Sequence, residues 1–254
     1  MTALLDVKAV SVHFGGVRAL ENVSFHVREG EFLSLIGPNG AGKTTMLRAV
    51  TGMVSPQCDY IRLAGRDINR MPTHRRAQLG LALTHQLVRP FRSMTLLDNV
   101  TLAVGHRRIR SILRAMVSVS RSVERQKARR LLALVDIDAD ADQTVAGQPL
   151  GVLKRLEVAR ALATEPRLLL LDEPLAGLNH VEASHLADTI VRINKDGLTV
   201  VMIEHNLSEV LRVSQRLVVL DNGRKIAEGV PSDVMRRPDV RAAYVGKEEA
   251  HVVS

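Results

Sequence analysis

The sequence predicts an α/β fold built on a largely parallel sheet. Short apolar runs typical of buried strands alternate with helical segments along the chain. Three such runs occupy residues 32–36, 168–171 and 199–203. A glycine-rich turn and a helix follow the first run, and an amphipathic helix separates the other two. Parallel strands need crossover connections of this kind, so the pattern indicates one parallel sheet with helices packed on it.

The remaining elements follow from the same periodicities. Residues 5–27 alternate apolar and polar side chains, as half-buried strands do. The helix after the glycine-rich turn is predicted over 43–50, and Gly52 ends it. Asn179 and Glu182 have the spacing of a capping box at the start of the amphipathic helix. That helix is predicted to carry one apolar side made of Val181, Leu186, Ile190 and Ile193.

Length and composition limit the classes of protein to which this sequence can belong. The 254 residues with 46% hydrophobic content can form one compact domain with a large core. No apolar stretch approaches the roughly 18 residues that cross a bilayer, and the first residues lack the regions of a secretory signal. The single cysteine, Cys58, excludes an internal disulfide. We therefore expect a soluble protein that stays in the cytoplasm.

The net charge of +8 leaves two interpretations of the middle of the chain open. Residues 95–163 look mostly helical, and their basic side chains form either a solvated face or a face turned to a membrane partner or lipid headgroups. Only 2% of residues are aromatic, so platforms for stacking single-stranded nucleic acid are scarce. The basic side chains of this region include Arg107, Arg108, Arg110, Arg114, Arg121, Arg125, Lys127, Arg129 and Arg130.

A phosphate-binding loop is the strongest chemical signal. Residues 37–44 fit the pattern G-x-x-x-x-G-K-[ST], with a buried strand before it and a helix after it. Glycines let successive backbone N–H groups point at phosphates, and the helix adds the positive end of its dipole. The loop consists of Gly37, Pro38, Asn39, Gly40, Ala41 and Gly42. We expect Lys43 to reach the β- and γ-phosphates of ATP, Thr44 to ligate Mg²⁺, and Thr45 to add a phosphate contact.

Acidic and histidine side chains follow the other two buried strands. Asp172 and Glu173 come after one strand, and Glu204 and His205 come after the other. Ligands of open parallel sheets bind beyond the carboxyl ends of the strands, so these residues should converge on the phosphate loop. Asp172 suits a Mg²⁺ ligand, and Glu173 can orient and deprotonate the attacking water. His205 can contact the γ-phosphate and steady Glu173.

With these motifs the sequence resembles the ATP-binding-cassette ATPases over essentially its whole length, and within them the ATPase subunits of branched-chain amino-acid importers. The matching segments are GPNGAGKTT at 37–45, LTHQ at 83–86, LLLLDEP at 168–174, AGLN at 176–179, IEHN at 203–206, VLDNGRKIAEGVPSDV at 219–234 and AAYVG at 242–246. The resemblance implies a P-loop NTPase (RecA-like) parallel core with an antiparallel β lobe and a helical subdomain.

The resemblance also implies how the single domain, 1–254, is divided. The nucleotide-binding core would comprise about 1–92 and 160–230, and the helical subdomain about 93–159. Residues 231–254 would form a short C-terminal helix and tail.

Further roles are carried over from the family position by position. Phe14 would stack on the adenine, and Gln86 would sense Mg²⁺ and the γ-phosphate. Residues 176–179 would cross a dimer interface. The implied cofactors are ATP and Mg²⁺. The implied partners are a second ATPase subunit, transmembrane permease subunits and, indirectly, a solute-binding protein, with no nucleic acid. The chain would lie on the cytoplasmic face of the inner membrane, held there by the permease.

The signature motif departs from the family pattern Leu-Ser-Gly-Gly-Gln. Here the segment reads Gln148, Pro149, Leu150, Gly151 and Val152, and the residues after it match well. Pro149 lacks the hydroxyl and the N–H that a serine would offer the γ-phosphate, whereas Leu150 and Gly151 keep their backbone N–H groups. Losing a hydrogen bond to a charged group costs roughly 1.5–3 kcal/mol. We therefore expect a heterodimer in which a partner supplies the complete signature.

Three alternatives share parts of these observations. The ATPase of a lipid or lipopolysaccharide exporter has the same catalytic chemistry, but the AGLN loop and the C-terminal match favour the importer. A soluble cassette acting on nucleic acid would usually carry tandem cassettes or long coiled coils, which this sequence lacks. A regulatory protein that binds nucleotide without hydrolysing it would explain the weak signature. The presence of Glu173 and His205 argues against this alternative.

Overall fold

The computed structural model describes residues 3–84, 90–105 and 122–248, with side chains as far as Tyr244. Its main sheet is formed by β3 (Phe32–Ile36), β6 (Leu81–Thr84), β7 (Leu168–Asp172), β8 (Thr199–Ile203), β9 (Arg216–Asp221) and β10 (Arg224–Gly229). The strand order is β10-β9-β3-β8-β7-β6, in which only β10 runs antiparallel to its neighbour. The predicted parallel α/β sheet is confirmed.

A second, antiparallel sheet packs beside the first. It is formed by β1 (Ala3–Phe14), β2 (Val17–Arg28), β4 (Tyr60–Leu63) and β5 (Arg66–Asp67), in the order β2-β1-β4-β5. Alternation along β2 places Val23, Phe25 and Val27 inside, where each is at most 5% exposed. The half-buried strands predicted over 5–27 are therefore present.

The main sheet separates two hydrophobic cores. Within β3, Phe32 and Ile36 face one core, and Leu33 and Leu35 face the other. Strands β7 and β8 divide their side chains in the same alternating way. All three strands are buried along their whole length, which explains why their sequences are continuous apolar runs. Because β3, β8 and β7 are neighbours and run parallel, their carboxyl ends lie side by side at one edge of the sheet.

Nine helices lie within the described ranges. They are α1 (Lys43–Thr51), α2 (Thr73–Gln78), α3 (Leu96–Gly105), α4 (Ser122–Leu134), α5 (Leu150–Leu162), α6 (His180–Lys195), α7 (Leu207–Val213), α8 (Pro231–Val234) and α9 (Pro238–Glu248). Helix α1 begins and ends close to its predicted bounds. Gly52 is its C-cap, with φ of 80°, and donates its N–H to the last turn.

Helix α6 confirms one prediction and corrects another. Its capping box is present: the Asn179 side chain accepts the Glu182 N–H at 2.9 Å, and Glu182 accepts the Asn179 N–H at 3.2 Å. Leu186, Ile190 and Ile193 are buried as predicted. Val181 is 67% exposed, so its assignment to the same apolar side is wrong. It lies five residues before Leu186, about 140° around the helix from it.

The middle of the chain contains α3, α4 and α5, which agrees with its predicted helical character. Most of the predicted basic stretch falls at 106–121, outside the described residues. On α4, three of the basic side chains form ion pairs: Arg125 with Asp98, Lys127 with Glu165, and Arg129 with Asp142. These pairs neutralise part of the basic face.

Candidate nucleotide site

The phosphate loop connects the end of β3 to the start of α1. Gly37 has φ of 146°, and a Cβ built there would lie 2.0 Å from the Leu220 carbonyl oxygen. Gly42 has φ of 99°, and its Cβ would lie 2.5 Å from the Ala19 carbonyl oxygen. Both positions therefore require glycine for conformation and for space. Pro38 and Ala41 are buried, while Asn39 and Gly40 lie at the exposed rim of the loop.

Lys43 points its ammonium group into this loop. The side chain is only 7% exposed, and Nζ donates to the carbonyl oxygens of Gly37 at 2.7 Å and Pro38 at 3.0 Å. A buried ammonium needs such acceptors. The loop therefore holds a positive charge beside its own backbone, where phosphate oxygens can replace the carbonyl groups as acceptors.

The N-terminus of α1 adds backbone donors at the same place. Its N-cap is Gly42, which has no side chain to accept the first N–H groups of the helix. The first N–H groups of any helix lack intrahelical acceptors, and a helix N-terminus attracts anions. Lys43, Thr44 and Thr45 form this first turn. The arrangement can bind a phosphate group.

Asp172 and Thr44 meet across the site. Asp172 is the last residue of β7 and is 9% exposed. The Thr44 hydroxyl lies 3.5 Å from Asp172 Oδ1, at the limit of a hydrogen bond. A carboxylate and a hydroxyl in this position are hard oxygen donors, the type that Mg²⁺ prefers. The pair therefore fits a Mg²⁺ site.

Glu173 follows Asp172 with a left-handed backbone, at φ of 49°. Its N–H donates to the Ile203 carbonyl at 3.0 Å, and its carbonyl accepts Lys154 Nζ at 3.1 Å. Left-handed conformations cost roughly 1–2 kcal/mol for residues other than glycine and persist where surrounding structure fixes them. The strained backbone conformation thus turns the chain at Glu173 away from the direction of β7.

Glu204 and His205 leave the end of the neighbouring strand, β8. Glu204 is 1% exposed, and its two oxygens accept the N–H groups of Leu175 at 2.7 Å and His205 at 3.2 Å. Burial raises the pKa of the Glu204 carboxyl. The His205 side chain is 61% exposed, with Nδ1 3.8 Å from Glu204 Oε2. Glu204 therefore ties the His205 turn to the segment that follows Glu173.

The signature segment forms the beginning of α5. Pro149 is the N-cap and makes no side-chain cap hydrogen bond, and the Leu150 side chain is 42% exposed. A Cβ on Gly177 would lie 2.9 Å from Leu150 Cδ2, and one on Gly151 would lie 3.1 Å from Glu182 Oε1. The signature is therefore packed against the loop at 176–179 and the first turn of α6.

Two further residues, Phe14 and Gln86, were predicted to contact the nucleotide. Phe14 ends β1, and it is 50% exposed. Gln86 lies outside the described residues. The sequence analysis placed Glu204 after a buried strand, converging on the phosphate loop, but gave it no specific role. Lys154 contacts Glu173 and was not considered for the site. No sequence signal marks Lys154, because lysine is common on helix surfaces.

Comparison with known families gives two matches. The ABC transporter family matches residues 20–176. The family described as branched-chain amino acid ATP-binding cassette transporter matches residues 224–250. Among the described residues, no helix has both the length and the apolar character needed to cross a membrane.

Individual proteins resemble the chain over nearly its full length. The high-affinity branched-chain amino acid transport ATP-binding protein BraF of Pseudomonas aeruginosa is 36% identical over 251 residues, covering 96% of this chain and 98% of that protein. The protein LivG of Escherichia coli K12, which has the same description, is 34% identical with the same coverage. A crystal structure of the ADP conformation of an ATP-binding cassette of an ABC transporter superposes with a TM-score of 0.85 at 27% identity, covering 97% of this chain and 100% of that chain.

Proposed function

Because the chain belongs to the ABC transporter family, we propose that it powers a membrane importer of branched-chain or related amino acids. It is an ATPase that binds nucleotide, as cassettes of this family do. The single observation that carries the ATPase part of the proposal is that the phosphate loop, Asp172 and His205 lie at the carboxyl ends of three adjacent parallel strands, β3, β7 and β8. The C-terminal family match and relatives such as BraF and LivG support the choice of solute.

Different residues of the site bind the phosphates and catalyse hydrolysis. The amides of the loop from Gly37 to Gly42 surround the phosphates, and Lys43 moves from its loop carbonyls to the β- and γ-phosphates. Thr45 adds a phosphate contact. Glu173 accepts a proton from the attacking water, and His205 contacts the γ-phosphate.

Thr44 and Asp172 would hold Mg²⁺, with Gln86 as a third contact. The 3.5 Å separation between the Thr44 hydroxyl and Asp172 Oδ1 supports this assignment. Bound Mg²⁺ supplies positive charge that offsets the negative charge of the β- and γ-phosphate oxygens. Phe14, which is half exposed at the end of its strand, offers its ring to the adenine.

A second cassette would complete the site. Pro149, Leu150 and Gly151 would face the ATP of that partner, with only backbone N–H groups from Leu150 onward as donors. The missing hydroxyl at Pro149 weakens this half of the site, so a heterodimer with a complete signature is the proposed working form. Residues 176–179 would lie across its interface.

The permease would bind a groove between the main sheet and the helical region. The groove has a volume of about 500 Å³ and is lined by residues of α1, α2, β6, α3 and α5. Phe91 and Leu102 both line it and are 48% and 44% exposed, respectively, so the groove presents apolar surface to a partner. An amphipathic segment of a permease fits this surface. The chain would thereby be held on the cytoplasmic face of the inner membrane.

Steady-state ATP hydrolysis and leucine uptake test the proposal together. We would reconstitute the chain with its partner cassette and permease in proteoliposomes, adding the solute-binding protein on the side from which leucine enters. Replacing Glu173→Gln should reduce both activities about 10²–10⁴-fold, because a general base contributes that much. Glu165→Gln is the matched control, since that carboxylate pairs with Lys127 and is half exposed.

The outcomes separate the parts of the proposal. Hydrolysis without leucine uptake would show that the proposed ATPase activity is correct and that the proposed solute is wrong. Hydrolysis that is as fast for the chain alone as for any mixture would contradict the heterodimer. Nucleotide binding without turnover in every mixture would favour the regulatory alternative.

A further inference from the structure

Lys154 is a buried lysine that the phosphate chemistry does not use. It lies on α5, four residues after Leu150, and is 5% exposed. Lysine is rarely buried this far unless its ammonium group has partners, because desolvating the charge is costly. Its Nζ donates to the backbone carbonyl of Glu173 at 3.1 Å. A residue of the helical region therefore binds the backbone of the carboxylate proposed to activate water.

The surroundings of Lys154 contain several carboxylates. Burial is the largest influence on its pKa and lowers it, while Glu157, Glu204, Glu173 and Asp172 favour the charged form. Two of these, Asp172 and Glu173, belong to the nucleotide site itself. The ammonium group thus interacts electrostatically with acidic residues at the ends of β7 and β8.

Glu173 needs such support because its backbone is strained. Its φ of 49° is unfavourable for a residue with a side chain. One contact, from the Glu173 N–H to the Ile203 carbonyl at 3.0 Å, holds it to β8. The contact from Lys154 holds the other side of the same residue to α5. The Glu173 carbonyl also accepts the Ala176 N–H at 3.3 Å, and together these contacts fix the direction in which the Glu173 side chain leaves the backbone.

We propose that Lys154 is a positioning residue for ATP hydrolysis that couples the orientation of Glu173 to the position of α5. Helix α5 carries the signature segment in its first turn and Lys154 in its second, about 6 Å further along the axis. A shift of the signature on meeting a partner's nucleotide would therefore reach Glu173 of the same chain. The inference rests on the proposed function, in which Glu173 activates water.

Three variants test this proposal in the complex with the partner cassette. Lys154→Met keeps the length of the side chain but removes the donor and the charge, and Lys154→Arg keeps both. Lys127→Met is the control, because Lys127 pairs with Glu165 at the surface of the same region. Lys154→Met should lower kcat about tenfold to hundredfold with little change in ATP affinity, since misplacing a reacting group by about 1 Å has effects of that size. Lys154→Arg should recover most of the activity.

A second readout does not depend on turnover. Hydrogen exchange of the peptide that contains Glu173 should speed up in Lys154→Met and stay unchanged in Lys127→Met. Unchanged exchange together with wild-type kcat in Lys154→Met would overturn the proposal. If wild type itself does not hydrolyse ATP, the proposed function fails, while the exchange measurement still decides whether Lys154 holds the Glu173 backbone.

If the Lys154→Met protein does not fold, Lys154→Gln tests the proposal in its place. The shorter, uncharged amide cannot replace both the reach and the charge of lysine. A folded Lys154→Gln protein with reduced kcat, faster exchange and unchanged ATP affinity would support the proposal. The same protein with wild-type kcat and exchange would overturn it.

Discussion

Gly37 and Gly40 both lie in the phosphate loop with positive φ, but they differ in what a side chain would meet. At Gly37 a Cβ would lie 2.0 Å from the Leu220 carbonyl oxygen, which is part of the rigid strand β9. At Gly40, with φ of 81°, nothing lies within 4 Å of the added Cβ. The first glycine is required by backbone contact, and the second only by conformation.

This difference predicts unequal losses of stability. Gly40→Ala should lower the free energy of unfolding by about 1 kcal/mol, the cost of a left-handed alanine. Gly37→Ala should lower it by about 3 kcal/mol or more, because strand β9 or the loop must also move. Urea unfolding without nucleotide measures both. Equal losses would show that the approach to Leu220 is not limiting.

Single residues of the site were predictable to different degrees. Lys43, Thr44 and Asp172 could be placed from sequence because each directly follows a buried strand or its turn. The contact between Lys154 and Glu173 could not, since it joins residues on different elements and depends on how α5 packs on the sheet. The burial of Glu204 was hidden for the same reason: its partner, the Leu175 N–H, lies 29 residues away.

Helix beginnings divide into two kinds in this molecule. Helices α6 and α7 have asparagine caps, Asn179 and Asn206, whose side chains accept backbone N–H groups of the first turn. Helices α1 and α5 begin at Gly42 and Pro149 without a side-chain cap. Helices α2 and α8 also lack a side-chain cap, at Pro72 and Val230, but of the uncapped helices only α1 and α5 carry the phosphate loop and the signature. Their first N–H groups are left for ligand oxygens in the proposed function.

The cap of α6 yields a prediction at this scale. Asn179→Ala should lower the free energy of unfolding by about 1 kcal/mol, because it removes the acceptor of the Glu182 N–H. Asn179→Asp should stay close to wild type, since aspartate caps a helix as well as asparagine does. Chemical unfolding of the two variants measures the difference. Equal destabilisation by both would indicate that the residue matters for another reason.

Strands that are continuous apolar runs were predictable, and strands that have polar ends were not. Strands β3, β7 and β8 were recognised because they are buried on both faces. The short strand β6 and the hairpin of β9 and β10 were not assigned as strands, since runs of four to six residues with polar ends fit several structures. Val181 was misassigned because it lies in the first turn of α6, away from the buried stripe.

The two sheets of the molecule are joined by a buried ion network around Arg216. Its guanidinium group binds both oxygens of Glu31, at 2.6 and 2.9 Å, and also contacts Glu228 of β10 and the His26 carbonyl of β2. Arg216 and Glu31 side chains are 11% and 6% exposed. One residue of β9 therefore connects the main sheet to the antiparallel sheet, and removing it should affect the stability of the whole chain.

The carboxyl of Glu31 makes this ion network between the two sheets sensitive to acid. Burial opposes its ionisation most strongly, but hydrogen bonds from Arg216 and from the Arg28 N–H outweigh burial and hold its pKa below 4.5. Its stabilising contribution is therefore present above pH 4.5 and is lost as the pH falls through the lower pKa of the folded state. Protonation removes the ionic part of the interaction with Arg216.

Arg216→Met should accordingly lower the free energy of unfolding by about 3 kcal/mol at neutral pH, because it leaves the buried Glu31 carboxylate without its ionic partner. The gap from wild type should narrow as the pH falls below 4.5, where Glu31 becomes neutral in the variant first. Urea unfolding across this pH range measures the gap. Arg237→Met is the control: its pair with Asp239 is about half exposed, so its loss should change the free energy of unfolding much less than Arg216→Met does. A loss for Arg216→Met that is the same at every pH would mean that lost packing of the side chain, rather than the charge of Glu31, dominates the joint between the sheets.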